Sequence, residues 1–104
     1  MGINIQKMMK QAQKMQNDIA RVQEELKQIG VEGSSGGGMI KVTANGAQEI
    51  LSISINPEVV DADDVEMLED LILAAIKEAI AAAQELAANE MSKVTGGINM
   101  PGLF

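Results

Sequence analysis

Apolar residues recur near the start of the chain at Ile5, Met8, Ala12, Met15, Ile19, Val22, Leu26 and Ile29. The gaps alternate between three and four without a break, which is the spacing of a heptad seam. It predicts one amphipathic helix over 4–29, ended by Gly30 just past the last apolar position. "GVEGSSGGG" follows, with the composition of a flexible linker. The next stretch, "MIKVTANGAQEILSISI", alternates apolar and polar residues around Asn45-Gly46. That dipeptide is the preferred two-residue hairpin turn. Such a turn pairs Ala44 with Ala47, Val42 with Glu49 and Ile40 with Leu51. One face then collects Ile40, Val42, Ala44, Ala47, Leu51, Ile53 and Ile55, and Ile50 is an exception on the polar face. A lone hairpin is marginally stable. The glycine-rich segment around Val31 to Gly36 is therefore expected to pair as a third strand.

Pro57 ends the second hairpin strand. The alanine-rich stretch after it predicts a helix over 63–93. Asp63, with Glu66 three residues on, forms a start like a capping box. Leu68, Leu71, Ile72, Ala75, Ile76, Ala79, Ile80, Ala83 and Leu86 give this helix an apolar surface wider than one small sheet needs. Gly96-Gly97 closes it, and 95–104 reads as a loose tail. The fold class expected is α+β, in the order α-β-β-β-α, as one two-layer domain over 1–104 with its sheet at 31–55. Two helices of about 40 and 46 Å, at about 1.5 Å per residue, outrun such a sheet. Their far ends need another surface, and a symmetric homodimer supplies it, with Ile72, Ile76 and Ile80 at the interface.

Composition narrows the chemistry. There is no histidine or cysteine, so disulfides and imidazole or thiolate metal sites are excluded. Phe104 is the sole aromatic residue, leaving the packing to Leu, Ile, Val, Met and Ala. Seven carboxylates lie between Glu58 and Asp70, but not at EF-hand spacing, and they read as helix capping and a solvated face. No catalytic residue, metal or cofactor is expected, nor a small-molecule substrate. "GSSGGG" lacks the Gly-Lys-Ser/Thr of a phosphate loop. The start of the chain has no apolar core of a signal peptide, and the longest apolar run, Leu71 to Ile76, is too short to cross a bilayer.

Charge is unevenly placed. The chain carries a net -7, yet residues 1–17 hold three lysines and no acid. Residues 1–30 sum to +2 and the remaining 74 to -9. On the heptad wheel Lys7, Lys14 and Arg21 fall at c and Lys10 at f, all on the outer face of the first helix. Such a stripe either solubilises an exposed face or meets phosphates. In the second case Lys7, Lys10, Lys14 and Arg21 would contact backbone phosphates. Gln11, Gln13 and Asn17 would add hydrogen bonds, and Lys93 an outlying contact. The competing use of the same methionine-rich helix, with Met9 at e beside the seam, is to bind a helix of a protein partner.

Several blocks in order resemble one known family: Met15-Gln16-Asn17-Asp18-Ile19, then "VEGSSGGGMIKVTANG", "ISINPEVVDADDVEMLEDLILAAIKEA" and "EMSKVTGGINMPGLF". Over essentially its whole length the chain is similar to the YbaB/EbfC family of nucleoid-associated proteins. The resemblance implies an antiparallel three-stranded sheet between two long helices, and a homodimer whose helices project like tweezers. It also implies a bacterial, cytoplasmic protein of the nucleoid that binds double-stranded DNA and alters its conformation or expression, with no membrane association. The acidic total is a departure from what a duplex binder would favour.

Overall fold

The computed structural model describes residues 4–94. Helix α1 spans Ile5–Leu26, strand β1 Gly30–Ser35, β2 Ile40–Asn45, β3 Ile50–Ile55 and helix α2 Val65–Val94. Short 3-10 turns at Gly36–Gly38 and Pro57–Val59 link the strands and the second helix. The strands form one antiparallel sheet in the order β1-β2-β3. The glycine-rich segment is thus a strand, paired from Gly30↔Asn45 to Ser35↔Ile40. The expected tail and the Gly96-Gly97 stop lie outside the described residues.

Helix α2 packs over β1 and β2. Its Ala75 and Ala79 are fully buried against Ile40, Val42 and Ala44. The approach is close because neither side has bulk at the crossing. A Cβ added to Gly33 would lie 2.3 Å from the Ala79 amide nitrogen and 2.4 Å from the Ala75 carbonyl oxygen. Glycine in β1 therefore serves backbone-to-backbone packing and not linker flexibility. The Ser35 hydroxyl donates to the Leu71 carbonyl and ties the far end of β1 to the first turns of α2. Past the sheet, α2 runs on beside α1, antiparallel to it. Met91 packs with Val22 and Leu26, and Ile19 and Val94 close that cluster.

Three expectations are corrected. The first helix ends at Leu26, not at 29, because the hairpin tip takes the carbonyls a further turn would use. The Gly46 N–H donates to the carbonyls of Leu26 (2.8 Å) and Ile29 (3.0 Å), and the Asn45 amide donates to Lys27 (3.2 Å). The hairpin is not a two-residue turn. Asn45 is buried, its side-chain oxygen accepts from the Ala47 and Glu49 amides, and its NH₂ also reaches Glu49 Oε1 at 2.8 Å. Gln48 takes the positive φ of 65°. The longer loop moves the register to Ile40↔Ile55, Val42↔Ile53 and Ala44↔Ile50. An irregularity at Thr43/Ala44 leaves Leu51 as an extra residue and puts Ile50 opposite Ala44. Finally, α2 is capped by Asp64, not Asp63: the Met67 N–H donates to Asp64 Oδ1 at 3.2 Å.

Candidate nucleic-acid interface

The heptad seam of α1 divides in two. Its C-terminal half, Ile19, Val22 and Leu26, packs on α2. Its N-terminal half overhangs the described end of α2: Ile5 is 68% exposed, Met8 54% and Ala12 also exposed, with Met15 half-buried. The molecule is accordingly long, with principal extents of 75 × 23 × 16 Å. Among the described residues nothing packs on the first turns of α1, which form an arm.

The arm carries the lysine stripe. Lys7, Lys10 and Lys14 are exposed, as are Gln11, Gln13 and Asn17. Asn4 caps the helix, its Oδ1 accepting from the Lys7 N–H at 3.1 Å, and the first turn holds no acid. Lys7, in the first turn, opposes the macrodipole, at a cost of about 0.3–1 kcal/mol. An anion placed there relieves both the dipole and the mutual repulsion of the lysines.

Ion pairing separates the proposed contacts into two groups. Arg21 lies between Asp18 (3.9 Å) and Glu25 (3.7 Å), Lys27 pairs with Glu24, and Lys93 pairs with Glu90 at 3.1 Å. Among the described residues, Lys7, Lys10, Lys14, Lys41 and Lys77 have no ion pair. The structure thus brings the three arm lysines together and sets Arg21 and Lys93 among carboxylates. Of the other acids, the seven from Glu58 to Asp70 lie around the start of α2, at the opposite end of the sheet from α1.

A second exposed surface was not singled out by sequence. Ile53 and Ile55 pair with the fully buried Val42 and Ile40 and so share their face, yet are 46% and 37% exposed. Helix α2 lies over the other two strands and leaves this one bare. Its signal in sequence was the count of strands: one helix about 10 Å across covers about two strands spaced about 4.8 Å apart. Ile72, Ile76 and Ile80 stay half-buried, the first two against the protein's own sheet. Among the described residues no helix is long and apolar enough to cross a membrane, and no group of three or more carboxylates is arranged to hold a metal.

Comparison with known proteins agrees with this architecture. The chain is 62% identical over 103 residues to a nucleoid-associated protein of Caldanaerobacter subterraneus subsp. tengcongensis, covering 99% of this chain and 93% of that one. A nucleoid-associated protein of Pelotomaculum thermopropionicum is 56% identical over 104 residues, covering 100% and 99%. The crystal structure of an uncharacterized protein from Helicobacter pylori superposes with a TM-score of 0.80 at 21% identity, over 91% of this chain and 100% of the other, and shows the same fold. The model of the YbaB/EbfC DNA-binding family matches residues 1–98, and the chain belongs to that family.

Proposed function

We propose that this protein is a homodimeric, nucleoid-associated DNA-binding protein that grips double-stranded DNA with the α1 arm of each subunit and alters the conformation of the duplex. It is a binding protein, not an enzyme. The observation that carries the reading is the arm itself: three lysines with no ion pair among the described residues, and no carboxylate anywhere in residues 4–17 of a chain with net charge -7. Lys7, Lys10 and Lys14 contact backbone phosphates, with Gln11 and Asn17 beside them. Arg21 and Lys93 contribute less, because each must first leave a carboxylate partner. Phosphate contacts of this kind position the protein and carry little sequence information.

The dimer supplies a second arm and covers the bare inner face of β3 together with Ile72, Ile76 and Ile80. Ile53 and Ile55, exposed beside each other on that face, are the apolar surface this dimer would take out of water. The test of the function is anisotropy of a labelled duplex. Replacing Lys7, Lys10 and Lys14 with Gln should abolish binding, while replacing Lys41 and Lys77, the other lysines without ion pairs, should leave it. Equal effects of the two sets would refute the arm as the binding element.

A further inference from the structure

The arm has a second face, which the lysines do not use. Ile5, Met8, Ala12 and Met15 continue, on the same side of α1, the seam that packs on α2 further along. We infer that this bare half of the seam is an interaction surface for the same segment of a second copy, the two arms lying antiparallel. Three features of the arm select that occupant. Its core positions are self-complementary in the antiparallel sense, where a packs against d: Ile5 faces Met15 of the second copy and Met8 faces Ala12, and the same pairs recur by symmetry. Its flanking e and g positions are Met9, Gln11 and Gln16, so no like charges meet beside the seam. Its lysines, at c and f, point away from the contact. Opposed macrodipoles favour the antiparallel arrangement over the parallel one, which would also align six lysines.

The contact spans about 15 Å of helix at about 1.5 Å per residue. It is smaller than the roughly 1,200 Å² that stable interfaces bury. It is therefore a weak contact, populated when copies are held close, as they are side by side on one polymer. Its population on a polymer rests on the DNA reading, but its test is separable from it: salt screens the lysines and strengthens an apolar contact, whereas salt weakens phosphate binding.

The chain has no cysteine, so single thiols report cleanly. Met8→Cys and Ala12→Cys chains of different tag length are mixed and oxidised in 1 M NaCl without DNA. The expected result is a disulfide between position 8 of one chain and 12 of the other, several-fold faster than either self-pairing and than pairing of a Gln13→Cys control at the outer b position. Its rate should fall at low salt. Dominant self-pairing of each variant overturns the antiparallel register. Reaction no faster than the control overturns the surface altogether. Slow labelling of Met8→Cys by a maleimide, relieved by deleting residues 95–104, assigns the seam to the chain's own C-terminal segment and equally overturns the proposal.

Discussion

Asn45 and Gly46 show how much one dipeptide can mean beyond its local preference. In sequence the pair signals a tight turn. In the structure it is a clasp between the sheet and the end of α1, with Gly46 needed because a Cβ would sit 2.7 Å from Leu26 Cδ2 and 2.8 Å from its carbonyl oxygen. Nothing local to the hairpin announces this, since the partner carbonyls are about twenty residues upstream. Asn45→Ala removes two donated and two accepted hydrogen bonds from a buried position. It should cost about 1–3 kcal/mol in urea unfolding, the penalty for leaving buried polar groups unpaired. Gly33→Ala should cost about as much, roughly 1–3 kcal/mol or more, because α2 must move off β1 to admit the methyl group. Gly30→Ala, where nothing lies within 4 Å, is the control and should leave the urea midpoint unchanged within about 0.5 kcal/mol. Equal midpoints for the Gly33 and Gly30 variants would contradict the close crossing.

At the scale of elements, what the sequence made legible was periodicity, and what it hid was tertiary. The heptad spacing located α1, and the alanine stripe located α2 and its buried face at Ala75, Ala79 and Ala83. Where α1 stops, and which residues β3 pairs with, depend on the hairpin tip meeting the helix end, so both were misread. The lysine stripe was visible as spacing. That Arg21 and Lys93 differ from it was equally open to reading, since their partners Asp18, Glu25 and Glu90 stand three or four residues away on the same helix. The arm also has a dynamic consequence. An isolated helix of three or four turns is marginal in water, and among the described residues the stretch from Ile5 to Gln13 has no tertiary support beyond its own turns. Amide hydrogen exchange should therefore be much faster in residues 5–15 than in 19–26, where Val22 and Leu26 are buried. Uniform protection along α1 would show that something covers the arm in solution.

At the scale of the molecule, charge and apolar surface are both segregated along a 75 Å rod. The basic tip is at one end, the carboxylates of the α2 start at the other, and the bare strand lies between. Association through β3 leaves the arms free, so the account expects Ile53→Asp to halve the sedimenting mass while keeping the helix content, since Ile53 is exposed in the single chain. A dimer that survives this change would place the interface elsewhere. The central claim is that DNA is held by the arm lysines, and the salt dependence of duplex affinity tests it most directly. Each phosphate contact contributes about 0.9 to the slope of log affinity against log salt, so six lysines from two subunits predict a slope of about -5. With Lys7, Lys10 and Lys14 all replaced by Gln, the account predicts a slope close to zero and binding lost at moderate salt. An unchanged slope and affinity in that variant would contradict it.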